Sequence, residues 1–262
     1  MGRAIGVFDS GVGGLTVLRA IREKLPHEAT VYLGDTARVP YGSKSPEVVA
    51  RYSLNNARFL LQHDLKLLVV ACNTATAHAL PALQAALTVP VIGVVEPGAQ
   101  VAAALTRNGR IGVIGTAGTI ASGAYQRALE AAAPGATVFA SACPLFVPLA
   151  EEGWTSGDLP RAVAERYLGA LRGSVDTLVL GCTHYPLLRG AIAEVMGPGV
   201  TLVDSAQATA AAVAERLAAS GDRETGGDPS HLLYVTDIPA QFPSIAEAFL
   251  GSRPEHVEQV DV

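Results

Sequence analysis

Leu68-Val-Val-Ala-Cys72-Asn-Thr74 and Leu178-Val-Leu-Gly-Cys182-Thr-His184 carry one pattern twice, 110 residues apart. In each, a short apolar run ends in a cysteine and breaks into small polar residues. Runs of this length and composition predict strands buried on both faces, with the polar turn at their carboxyl ends. Working outward, Ile5-Gly-Val-Phe8 matches Ile111-Gly-Val-Ile114 at an offset of 106, and Val31-Tyr-Leu33 matches Val138-Phe-Ala140 at 107. Three matches in order, with a slowly drifting offset, mark a duplicated half.

The same patterning predicts strands at Ala4–Phe8, Thr30–Leu33, Leu67–Ala71 and Val91–Val94, then at Arg110–Ile114, Thr137–Ala140, Thr177–Leu180 and Thr201–Val203. Ala-rich helical stretches separate them, which gives an α/β chain with parallel sheets. Two halves of about 107 residues leave a tail of about 48 in a chain of 262. The tail predicts a helix over 206–219, a loop over 221–229, a strand at Leu232–Val235 and a helix over 238–250. Because each half is already complete, the tail is expected to return to the first half and complete its sheet. The expected architecture is two duplicated parallel-sheet α/β domains related by a pseudo-twofold axis, with the active site in the cleft between them. Residues 1–96 with 206–262 would form one domain and 97–205 the other. Ser45-Pro46-Glu47 is a helix start, so Asp35 to Ser43 becomes a loop at the carboxyl end of the second strand, where open α/β sheets bind ligands.

Composition narrows the function. Hydrophobic residues make up 49% of the chain, yet no stretch approaches the roughly 18 uninterrupted apolar residues of a spanning helix, so no membrane partner is expected. Nothing at the amino terminus resembles a leader, and a cytoplasmic location is the expectation. The net charge of −5 with no basic run argues against a nucleic-acid partner. Three cysteines without a C-x-x-C indicate reduced thiols, with neither a disulfide framework nor a metal site.

Cys72 and Cys182 occupy the same position in the two halves, so facing strand ends would set their sulfurs on opposite sides of one cleft. A thiol at a helix N-terminus is expected to ionise more readily, and a pKa lowered by two units is worth roughly 2.7 kcal/mol. Their neighbours Asn73, Thr74, Thr183 and His184 are poor core residues and good ligand donors. Asp9-Ser10-Gly-Val-Gly-Gly14 lacks the Walker lysine and the dinucleotide spacing. It suits a turn whose N–H groups hold a carboxylate, with Asp9 aimed into the cleft or capping the next helix. Its counterpart, Gly115-Thr116-Ala-Gly-Thr119, offers hydroxyls instead. Either Glu151 or Glu152 could face the cleft and tune His184, or both could be solvated. Cys143 stands without polar company and is assigned to structure, Trp154 to a core or hinge anchor, and His63, His78 and His231 show no ligand spacing.

Five segments taken together resemble the glutamate racemases, cofactor-independent enzymes of the aspartate/glutamate racemase superfamily. They are Phe8-Asp-Ser-Gly-Val-Gly-Gly-Leu15, Gly34-Asp-Thr-Ala-Arg-Val-Pro-Tyr-Gly42, Ala71-Cys-Asn-Thr-Ala75, Cys143-Pro-Leu-Phe-Val-Pro-Leu-Ala-Glu-Glu-Gly153 and Gly181-Cys-Thr-His-Tyr-Pro186. The resemblance implies Cys72 and Cys182 as the acid/base pair, helped by Asp9 on one side and by His184 with Glu151 on the other. It also implies Asp9, Ser10, Tyr41, Gly42, Asn73, Thr74, Thr183 and His184 as substrate contacts, glutamate as substrate, no cofactor, and a role in peptidoglycan synthesis. A homodimer stays open. The chemistry is consistent: racemisation needs a proton removed from one face of a carbon and returned to the other, and two opposed thiols can do both. None of Lys24, Lys44 and Lys66 sits in a pyridoxal-type context. The competing expectations are an aspartate or hydantoin racemase of the same superfamily, and a two-lobed small-molecule binding protein with inert cysteines.

Overall fold

The computed structural model describes residues 3–254 and 256–262. Eight strands fall where the periodicity predicts them: β1 (Ala4–Asp9), β2 (Thr30–Gly34), β3 (Leu65–Val70), β4 (Val91–Gly93), β5 (Arg110–Gly115), β6 (Thr137–Ala142), β7 (Thr177–Gly181) and β8 (Thr201–Asp204). The tail adds β9 (His231–Val235) and the two-residue β10 (Glu258–Gln259). They form two sheets, ordered β10-β9-β2-β1-β3-β4 and β6-β5-β7-β8, and every described pairing is parallel. The order β2-β1-β3-β4 in one sheet and β6-β5-β7-β8 in the other is the same order, so the sequence repeat is a repeat of topology.

The tail breaks the symmetry. β9 pairs with β2 over Thr30↔His231 to Gly34↔Val235, which makes β2 an interior strand, and all five of its residues are buried. β6 holds the equivalent place in the second sheet, but among the described residues no strand lies beyond it, and its residues are all exposed or half-buried. The expectation of continuous burial fails for β6 because an edge strand keeps one side in water.

Helices cover both faces, as parallel sheets require. The tail helix Ser205–Ser220 packs against both Leu15–Lys24 and Val95–Leu105, and its Val213 and Leu217 join one apolar cluster with Ile5 and Val7 of β1 and Leu178 and Leu180 of β7. A single core thus links the two sheets. No described helix is long and apolar enough to cross a membrane. Trp154 is 54% exposed and anchors no core, a correction to the sequence expectation.

Candidate active site

The carboxyl ends of β1, β3, β5 and β7 converge on one cavity. From the first sheet it takes Ser10, Tyr41, Gly42, Cys72, Asn73 and Thr74, and from the second Thr116, Val147, Glu151, Cys182, Thr183 and His184. Every residue that the resemblance implies as a catalytic group or substrate contact lines it, except that Asp9 lies one layer behind. Val39, Pro40, Thr116 and Val147 line it too without having been put forward as contacts. Thr116 had a visible signal, since it is the counterpart of Ser10 in the repeat. Val39 and Pro40 lie in the loop expected at the carboxyl end of β2 and Val147 in one of the five resembling segments, but their residue types marked none of them as contacts.

The two cysteines have unlike surroundings. Cys72 caps the helix Asn73–Ala86: its sulfur accepts from Ala75 N at 3.4 Å, and the thiol donates to Ser10 Oγ at 3.5 Å. The expected lowering of its pKa does not follow. Burial, reinforced by the negative charge of Asp9, outweighs the hydrogen bonds with Ser10 and Ala75 and pushes the thiol up to about 12. In the second half no α-helix opens directly at Cys182; the chain first makes a short 3₁₀ turn, Tyr185–Leu188. The sulfur instead has His184 Nδ1 at 3.8 Å, while Nε2 of the same ring is 2.8 Å from Glu151 Oε1. Burial acts to strip the His184 proton, but the bonds to Cys182 and Glu151 prevail and raise its pKa to about 10. Glu151 is therefore the acid at the cavity; Glu152 is exposed and does not line it.

The glycine turn after β1 folds around Asp9 itself. Gly11 N donates to Oδ2 at 3.0 Å, Ser10 and Gly14 also offer their amides, and Oδ1 is buried without a partner. The carboxylate held by this turn is thus Asp9's own, and Gly14, not Asp9, sits at the cap of the next helix. Burial raises the Asp9 pKa, with the His184 charge opposing. Gly13 lies hard against the second half: a Cβ there would stand 2.3 Å from Thr183 Oγ1 and 2.5 Å from His184 Nδ1. Further bonds join the sheets across the cavity. Thr16 Oγ1 donates to the Thr183 carbonyl at 3.2 Å, and the Thr74 hydroxyl meets those of Thr116 and Thr119 at 2.9 and 3.1 Å. Phe249, from the tail helix Phe242–Leu250, stands edge-on to the His184 ring at 5.1 Å. That contact had no signal in the sequence.

Among the described residues no group of three or more His, Cys, Asp or Glu could hold a metal ion. Chemically the cavity offers two thiols, a buried carboxylate beside one, an imidazolium beside the other, and hydroxyls between.

The sequence pattern of the Asp/Glu/Hydantoin racemase family matches residues 5–213. The chain is 57% identical to the glutamate racemase of Geobacter metallireducens over 263 residues, covering 99% of this chain and 97% of that one. It superposes on the glutamate racemase of Francisella tularensis, solved in complex with D-glutamate, with a TM-score of 0.93 at 37% identity, covering 99% of this chain and 98% of that one. Against the glutamate racemase of Thermus thermophilus, solved with beta-chloro-D-alanine, the TM-score is 0.91 at 48% identity, covering 99% and 97%. With duplicated sheets, a cysteine from each half at one cavity and similarity along its whole length, the chain belongs to the Asp/Glu/Hydantoin racemase family.

Proposed function

We propose that this chain interconverts L- and D-glutamate without a cofactor, through Cys72 and Cys182 acting on opposite faces of the α-carbon, and so supplies D-glutamate for peptidoglycan. The observation that carries this reading is the convergence of both cysteines on one cavity, each with a different charged partner. One sulfur, as thiolate, takes the α-proton; the C–H electron pair stays on the α-carbon and spreads into the carboxylate. The other sulfur, as thiol, gives its proton to the opposite face, and the two have exchanged protonation states. The carbanion needs fixed donors around its carboxylate, and Ser10, Thr74 and Thr183 supply hydroxyls there. Asp9 acts beside Cys72, and the His184–Glu151 pair beside Cys182. Glutamate, rather than aspartate or a hydantoin, follows from full-length similarity to relatives that act on it.

In this reading the two domains, 1–96 with 206–262 and 97–205, are the two walls. The cavity measures only about 40 Å³, far below the roughly 300 Å³ of a small-molecule pocket. Substrate entry therefore requires the walls to part, and their bonds across the cavity are remade around the ligand.

The test is turnover of either enantiomer in D₂O with no added cofactor. The expected result is formation of the opposite enantiomer with deuterium at the α-carbon. Protium retained through many turnovers would sink the two-base mechanism, and conversion of aspartate but not glutamate would move the chain to its sister activity.

A further inference from the structure

We infer that Tyr125 is a positioning residue: its phenol fixes the Asn73 side-chain amide so that the Nδ2 hydrogens are kept for a carboxylate of the substrate. The inference rests on the reading of the substrate as an amino-acid dicarboxylate.

Asn73 and Tyr125 come from opposite walls. Asn73 is the first residue of the helix after Cys72, and Tyr125 lies in the helix Ala124–Ala132 over the second sheet. The Tyr125 hydroxyl donates to Asn73 Oδ1 at 2.7 Å, and both side chains are buried. Asn73 lines the cavity, yet its Nδ2 is buried and has no hydrogen-bond partner. Buried amide donors are nearly always paired, so an orphan beside a ligand cavity calls for a reason.

An amide can turn over and exchange its oxygen for its nitrogen, so something must choose the orientation. The phenol makes that choice. It has a single proton to give, that proton goes to Asn73, and of the two ends of the amide only Oδ1 can receive it. Nδ2 is thereby committed to the other side. The ring itself cannot swing away, because it stands against Gly181, where an added Cβ would lie 2.9 Å from Tyr125 Cε2. Thr74, next along the helix, is tied to Thr116 and Thr119 of the same opposite wall. The first two residues of the helix are thus set by the second half of the molecule when the walls are together. A carboxylate only accepts hydrogen bonds and matches a pair of N–H donors held this way.

The experiment measures steady-state kinetics in both directions, and calorimetric binding of D-glutamate, for the wild type, Tyr125→Phe, Asn73→Ala and the double variant. Phenylalanine keeps the ring packing, so the melting temperature should stay near that of the wild type. Tyr125→Phe is expected to raise KM and Kd for glutamate about tenfold, the loss expected for one hydrogen bond, while kcat stays within about threefold. The double variant should bind no more weakly than Asn73→Ala, because the phenol acts through the amide. Additive losses, or an unchanged KM in Tyr125→Phe, overturn the inference. Asn73→Asp gives a second readout with Tyr125 intact, since it keeps an acceptor for the phenol and removes the N–H pair; unchanged D-glutamate binding there also overturns it. A wild type that neither binds nor racemises glutamate would instead defeat the substrate reading, and is distinguished by that control alone.

Discussion

Glu151 Oε1 lies 2.8 Å from His184 Nε2, and the other nitrogen of that ring is 3.8 Å from the Cys182 sulfur, so a single imidazole joins a carboxylate to one of the two cysteines at the cavity. The ring holds its proton to about pH 10 against an ordinary 6.5. A group whose pKa rises on folding contributes stability fully present below the unfolded value and lost as pH climbs through the folded one. The window for His184 therefore runs from about 6.5 to about 10.

Replacing Glu151 with Gln removes one of the two partners that keep the ring charged. The His184 pKa, followed by NMR of its ring, should fall, and kcat/KM near pH 8 should drop by roughly tenfold to a hundredfold, the range for a charge-assisted bond. In the wild type, activity should decline as pH rises through about 10. A ring that titrates unchanged in the variant would remove Glu151 from this role.

Asp9 is a case of stability given up for position. Burial raises its pKa and one oxygen is unpartnered, so the folded state is penalised at neutral pH, where the unfolded chain ionises freely above 3.8. Asp9→Asn is expected to lift the melting temperature by roughly 2–4 °C, about 1 kcal/mol, while cutting kcat by about a hundredfold. Thermal unfolding near pH 7 and at pH 3 separates the effects, because the gain should vanish once the native aspartate is protonated in both states.

The cysteines should each be indispensable. Cys72→Ala and Cys182→Ala are expected to lower racemisation by roughly a thousandfold or more, within the range for losing a general acid or base. Full activity in either variant would take that residue out of the pair.

Gly13 tests the close approach of the two halves. Gly13→Ala would drive a methyl into Thr183 and His184, and should cost about 1–3 kcal/mol of stability along with most of the activity. Gly190, at an exposed position of the helix Arg189–Met196, has nothing within 4 Å of an added Cβ. Gly190→Ala should stabilise by about 0.4–1 kcal/mol and leave turnover unchanged. Melting curves and rates of the two variants side by side check whether contact, rather than the loss of a glycine, is responsible.

Much of this was legible in the sequence because buried parallel strands impose continuous apolar runs, and the runs recur. The return of Leu232–Val235 to the first sheet followed from counting, since two halves left a strand without a home. Polar residues directly after a buried strand stand at the end of the sheet where ligand clefts form, which brings Cys72, Asn73, Cys182 and His184 together. What stayed hidden depends on contacts between distant segments. The asymmetry of the two thiols arises because a helix follows Cys72 and a 3₁₀ turn follows Cys182, so similar motifs meet opposite charges. The choice between Glu151 and Glu152 needed the phase of a six-residue helix, Phe146–Glu151. Phe249 and Tyr125 reach the site through packing that no local motif records.

Two enantiomers have equal free energies in water, so their interconversion has an equilibrium constant of one. The quotient kcat/KM must then be the same in both directions, whatever the protein does. A carboxylate behind one sulfur and an imidazolium beside the other leave left- and right-handed glutamate facing different company. Each hand is thus free to have its own saturation point and its own maximal speed, provided the two move in proportion. The repeated scaffold brings one sulfur from each half to the cavity, and under the proposed reaction its unequal furnishing lets the two directions differ in speed and saturation without altering where the reaction comes to rest.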